Sequence, residues 1–150
     1  MNDGGVFPPT ERGQWRSLDE RGRRDWLRRA CEHRFDKSNQ QAHRVGRAGE
    51  TFTIDGSAIE DLPGFFCAIG EAINGPGGYF GTSVNDFDDC LFGGFGLEAP
   101  CSVVWKHSEL SKTKLGSQIL ANYCEDSIRW IDESEDPEDF EEGRAWRWQR

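Results

Sequence analysis

From Thr51 to Trp105 the chain has no lysine and no arginine, although eight acids fall in the same interval: Asp55, Glu60, Asp61, Glu71, Asp86, Asp88, Asp89 and Glu98. A surface drawn from such a stretch repels nucleic acid and attracts basic partners. No apolar run reaches the 18 residues that a membrane-spanning helix needs. The opening "MNDGGVFPPTERG" lacks the charged start and apolar core of a signal peptide, so a cytoplasmic protein is expected, bound to neither membrane nor nucleic acid. The five cysteines (Cys31, Cys67, Cys90, Cys101, Cys124) are odd in number and never closer than 11 positions, which excludes a disulfide framework and a CxxC metal knuckle. Free thiols fit this pattern best.

Catalytic signatures are equally scarce. The three histidines, His33, His43 and His107, stand in no ligand spacing. The glycine clusters "GPGG" and "GGFG" lack the flanking residues of a phosphate or dinucleotide loop, and no serine elbow occurs. Asp86-Phe87-Asp88-Asp89 followed by Cys-Leu-Phe-Gly does not supply the alternating ligands of a calcium loop. The expectation is a protein without metal or cofactor and without catalysis. A carboxylate-dependent hydrolase stays open only on the acid cluster itself and on His107, which follows a strand.

What remains is a chain of 150 residues, one domain's worth, able to bury roughly two-thirds of its unfolded surface. Hydrophobic residues make up only 35%, but six tryptophans and ten phenylalanines supply large units of burial. Charge is divided unequally: residues 1–50 carry 11 Lys/Arg against 8 Asp/Glu, residues 51–150 carry 7 against 19.

Residues 1–17, polar and closed by Pro8-Pro9, read as a disordered start. In "WRSLDERGRRDWLRRACEHRF", Trp26, Leu27, Ala30, Cys31 and Phe35 recur at helical spacing with arginines on the other face, which predicts a basic amphipathic helix over residues 18–35. Such a basic helix can touch RNA or a membrane surface, but packing of its aromatic stripe on the domain is the commoner outcome, and it can also fold back over or shield the acidic surface; breaker-rich residues 36–50 read as a linker. "TFTIDG" alternates Phe52 and Ile54 with polar neighbours and predicts a strand. A helix follows, capped by Asp61 with Pro63 in its first turn, buried through Phe65, Phe66, Ile69, Ala72 and Ile73, and ended by Asn74-Gly75. "CSVVWK" is the second strand. "SELSKTKL" and "SQILANYCEDSIRWI" look helical, "DESEDPEDFEEG" with eight acids looks solvated or disordered, and "RAWRWQR" is a last edge strand (144–149) or a loose tail.

Between the two strands lies "GGYFGTSVNDFDDCLFGGFG", residues 77–96. Ser83 reads as the N-cap of a helix, with Asp86 three residues on, and the run stops at Gly93-Gly94. At about 100° per residue, Val84, Phe87 and Leu91 turn inward while Asn85, Asp86, Asp88, Asp89 and Phe92 lie outside or on the flanks. Exposed aromatics beside exposed carboxylates, framed by Tyr79, Phe80 and Phe95, read as a contact surface rather than a catalytic cleft.

The block "YFGTSVNDFDDCL", preceded by a strand ending in Asp-Gly and a first helix and followed by a Gly-rich turn and the "VVW" strand, resembles the barstar family, small cytoplasmic inhibitors of ribonucleases such as barnase. The resemblance covers residues 51 to about 120. It implies an α/β fold: a small three-stranded parallel sheet packed against helices, here with an N-terminal basic helix and an acidic C-terminal extension. The expected divisions are a disordered start (1–17), basic helix and linker (18–50), the barstar-like domain (51–131), and an acidic, Trp/Arg-rich end (132–150). It also implies a stoichiometric inhibitor, of antitoxin or immunity type, whose acidic helix stands in for RNA phosphates in a basic active site. By position, Tyr79 matches an aromatic that packs on the enzyme's catalytic histidine, Gly81 a turn glycine in the contact, and Asp89 the acid of the phosphate site. Asn85 stands where the family has another contact aspartate, with Asp86 beside it, and Asp88 replaces an aromatic. Phe80, Phe92 and Gly93 complete the expected partner-binding set. The expected partner is a barnase-like or guanyl-preferring ribonuclease, and the free protein is expected to be a monomer. The alternative is a barstar-like module for a basic protein that is not a nuclease.

Overall fold

A computed structural model describes residues 7–38, 43–47, 49–91, 94–98, 101–107, 110–111, 115 and 129–132. Three strands form a parallel sheet in the order β1 (Thr51–Asp55), β2 (Ser102–Lys106), β3 (Arg129–Asp132). In the β1–β2 register Phe52 meets Val103 and Ile54 meets Trp105. Side chains alternate across a strand, so these four share one face, and all are buried, whereas Thr51 and Thr53 are exposed.

Helix α2 (Leu62–Asn74) carries the core, its Phe65 ring lying 5.7 Å from Trp105. Its boundaries follow the sequence: the Asp61 carboxylate accepts the Gly64 N–H at 2.8 Å, Pro63 occupies the first turn, and the Gly75 N–H closes the last turn on the Glu71 carbonyl at 2.8 Å. Phe65, Phe66, Ile69 and Ile73 are buried as the spacing predicts. Each such side chain, fully buried, contributes roughly 2 kcal/mol through lost contact with water.

Helix α1 (Glu20–Phe35) packs on α2, with Asp19 capping its start through the Gly22 N–H at 2.8 Å. It buries Leu27 and Ala30, and also Arg23, which is only 4% exposed. The Arg23 guanidinium grips both oxygens of Asp61, with Nε at 3.0 Å from Oδ1, and donates to the Leu18 carbonyl. Arg23 thus joins the middle of α1 to the cap of α2. Burial by itself would raise the Asp61 pKa. The bonds from Arg23 and the Gly64 N–H, with the Arg23 and Arg24 charges, outweigh it and hold this carboxyl below its usual range.

Four expectations need correction. Residues 7–17 are packed rather than disordered. Trp15 is 1% exposed in a 3-10 turn (Gln14–Ser17), where the Glu71 carboxylate accepts the Gly13 N–H at 2.8 Å and the Trp15 indole at 3.5 Å, and Phe7 meets Trp26 edge-on at 5.3 Å. A buried indole and a buried carboxylate satisfy one another, which polar composition near the chain start conceals. The supposed linker is also tied down at Arg44, which donates to the carbonyls of Ile73 and Gly96 at 3.2 and 3.0 Å and pairs with Glu50. The last correction within α1 is Phe35, placed by its spacing on the apolar stripe but left 55% exposed. Finally, residues 129–132 are a strand paired with β2, not the end of a helix. The acidic stretch beyond Asp132 and the candidate strand at 144–149 lie outside the described residues.

Candidate docking site

The site is built around α3 (Val84–Leu91) and the turns that hold its ends. Asn74, at the end of α2, donates its amide hydrogens to the Tyr79 carbonyl at 2.9 Å and the Phe95 carbonyl at 2.8 Å, so one side chain staples the turns before and after α3. Sequence reading took Asn74 only as a helix terminator. Gly81 has φ +98°, and a Cβ there would sit 2.7 Å from the Phe87 nitrogen. That turn therefore lies against α3 in a way no other residue type permits without a shift.

Ser83 caps the helix as expected, its hydroxyl accepting the Asp86 N–H at 3.3 Å and its carbonyl the Phe87 N–H at 2.9 Å. The Thr82 hydroxyl donates to the Asp86 carboxylate at 2.7 Å, which fixes that charge at the helix N-terminus, where the backbone dipole favours an anion. Phe87 turns inward against Phe65, Phe66 and Phe80, with ring centroids 5.7, 6.0 and 5.7 Å away. Cys90 is buried with it. Asn85 and Asp89, four apart and so on one face, are exposed, and Asp86 is half-buried beside them. No ion pair among the described residues involves Asp86 or Asp89. The Asp88, Val84 and Leu91 side chains, and Phe92 and Gly93, lie outside the described set.

The two aromatics before the helix are placed differently from expectation. Phe80 is 0% exposed and belongs to the core, so its ring is no candidate contact. Tyr79 is 6% exposed, covered edge-on by Phe35 at 5.5 Å and Phe95 at 5.8 Å. Its phenol pKa is pushed up, first by burial and then by Cys90, Asp86 and Cys31. Burial likewise pushes the Cys90 thiol up to about 12, and Cys31, Cys67, Cys90 and Cys101 are all free. These are packing thiols rather than nucleophiles.

Beside the helix start, a groove of about 370 Å³ runs between α1 and Thr82, lined in part by Arg24, Arg28 and Cys31. Among the described residues the partners of these arginines lie on α1 rather than α3. Arg24 pairs with Glu20 at 2.7 Å and Arg28 with Asp25 at 2.7 Å and Glu32 at 2.8 Å, all along α1 itself. His107 is exposed after β2 with φ +51°, and among the described residues no group of three or more His, Cys, Asp or Glu is placed to hold a metal. No helix among them is long and apolar enough to cross a membrane.

A small parallel sheet covered by α2 on one face, with a short acidic helix presented at the surface, defines a mixed α/β protein. A family model described as Barstar (barnase inhibitor) matches residues 49–141, and the chain belongs to that family. The match runs past the expected 51–131 limits into the acidic stretch. No curated protein and no solved structure gives a match.

Proposed function

We propose that this chain is a stoichiometric inhibitor of a ribonuclease, an antitoxin or immunity-type protein acting in the cytoplasm, that seats α3 in the enzyme's basic active site. The observation that carries this reading is the exposed Asn85–Asp89 face, with Asp86 beside it, on a stretch without a single lysine or arginine from Thr51 to Trp105. A ribonuclease must present cations where RNA phosphates bind. Carboxylates that pair with no cation among the described residues meet that site with complementary charge, which speeds encounter and secures specificity. On this reading Asp89 and Asp86 are the phosphate mimics, Asn85 and Gly81 lie in the contact, and Asp88, Phe92 and Gly93 belong to the same segment. The free thiols among the described residues, Cys31, Cys67, Cys90 and Cys101, fit a reducing compartment.

Titration against barnase and a panel of guanyl-preferring ribonucleases tests the proposal. Activity should fall to zero at one inhibitor per enzyme, and Asp89→Ala should lose the effect. No inhibition of any member would contradict it. Asn85 and Asp88, which depart from the family's aspartate and aromatic, favour one further reading: a docking module for a basic protein that is not a nuclease. Capture of such a protein through wild type but not Asp89→Ala, with every ribonuclease unaffected, would select it.

A further inference from the structure

The family resemblance assigns the contact aromatic to Tyr79, but Tyr79 is 6% exposed, and the ring lying over it is Phe35, 55% exposed. Among the described residues, Phe35 is the one aromatic of the exposed large hydrophobics, the others being Val45 and Leu110. It stands edge-on to Tyr79 at 5.5 Å and to Phe95 at 5.9 Å, and those two rings lie 5.8 Å from each other. A triangle of this kind fixes a ring that would otherwise swing freely at a helix end. Arg34 completes the attachment, donating to the Gly94 carbonyl at 2.7 Å and lying 4.8 Å over Phe95. The end of α1 is therefore fastened to the turn before α3 and to the turn after it.

We propose that Phe35 is a solvent-facing aromatic of the docking face and receives a cationic side chain of the basic partner. The proposal rests on the ribonuclease-inhibitor reading and names a determinant of it outside the family-matched residues 49–141. On its α3 side the ring cluster has an anion for a neighbour, while the Arg34 guanidinium is turned onto Phe95. Asp86 lies near enough to act on both the Tyr79 phenol beneath Phe35 and the Cys31 thiol one turn earlier in α1. A guanidinium or ammonium drawn toward α3 meets at this rim an aromatic face that attracts it further, and docking removes from water apolar area that the free protein exposes. The opposite arrangement, in which the end of α1 is a lid that the partner must displace, predicts the opposite sign for removing the ring.

The test is the dissociation rate of the complexes that wild type, Phe35→Ala, Phe35→Leu and Phe35→Trp form with barnase and guanyl-preferring ribonucleases. Phe35→Ala should dissociate about tenfold faster than wild type and Phe35→Trp no faster than wild type. Phe35→Leu keeps apolar bulk over Tyr79, so it separates loss of the aromatic face from loss of packing, and it should behave as Phe35→Ala does. Wild-type rates for Phe35→Ala or Phe35→Leu, or slower dissociation or faster association for Phe35→Ala, would overturn the proposal while leaving the inhibitor reading intact. A wild-type chain that binds none of the ribonucleases would overturn both.

Discussion

Asp61 and Asp86 stand at the starts of successive helices and have opposite surroundings. Asp61 caps α2 and is held on both oxygens by Arg23, so its charge is satisfied inside the protein. Asp86 is held by the Thr82 hydroxyl, and no cation among the described residues pairs with it or with Asp89. The same residue type thus stabilises the fold in one place and leaves charge available in the other. The difference is set by α1, which delivers a buried arginine to α2 and spends its exposed Arg24 and Arg28 on its own acids. The segment from Phe7 to Phe35 consequently packs into the same core, and deleting it should lower stability as well as change the surface around α3.

The largest effect should come from breaking the structural half of that contrast at its start. Trp15→Ala empties a site 1% exposed and should cost about 4 kcal/mol, seen as a drop in melting temperature. An unchanged melt would mean that residues 7–17 are an appendage. Arg23→Ala should cost about 3 kcal/mol by leaving Asp61 half-satisfied beneath α1. The acid limb sharpens this point. The Asp61 pKa is depressed in the folded state, so its contribution is present above the ordinary carboxylate value and is lost as pH falls below about 4. Asp55, also depressed, contributes in the same direction. Asp61→Asn, which cannot titrate, should therefore show a shallower fall in stability on acidification than wild type, measured by denaturant melts at successive pH values.

The docking half should respond in the reverse manner. Asp89→Ala should leave stability within about 0.5 kcal/mol of wild type yet weaken ribonuclease binding about thirtyfold or more. A large loss of stability would place Asp89 with Asp61 instead. The smallest effect is expected at Arg28, where Arg28→Ala breaks two exposed, solvent-screened pairs and should lower the melting temperature only slightly, and less as salt rises.

Local chemistry made much of this legible in advance. The Asp61 cap, Pro63 and the α2 stripe, the Ser83 cap of α3, and the alternation in β1 and β2 each depend on residues a few positions apart. What escaped depends on contacts distant in the chain. Arg23 looks like any surface arginine until Asp61, 38 residues on, meets it. Trp15 looks solvated until Glu71, 56 residues on, accepts its indole. Ile128 and Ile131 share helical spacing, but Arg129–Asp132 pairs with β2, and a four-residue strand has too little alternation to announce itself. At the docking face, the helix wheel oriented Phe87, Asn85 and Asp89 correctly. Tyr79 and Phe80 are more buried than expected because Phe35 and Phe87 cover them, which the wheel of a single helix does not include.

The central claim is that the α3 carboxylates are held ready for a basic site, and the association rate with a barnase-like ribonuclease across a range of ionic strength tests it most directly. The wild-type rate should fall steeply as salt rises, and Asp89→Asn should associate more slowly at low salt with a shallower slope. A wild-type rate indifferent to salt, or an Asp89→Asn rate that follows wild type throughout, would contradict it.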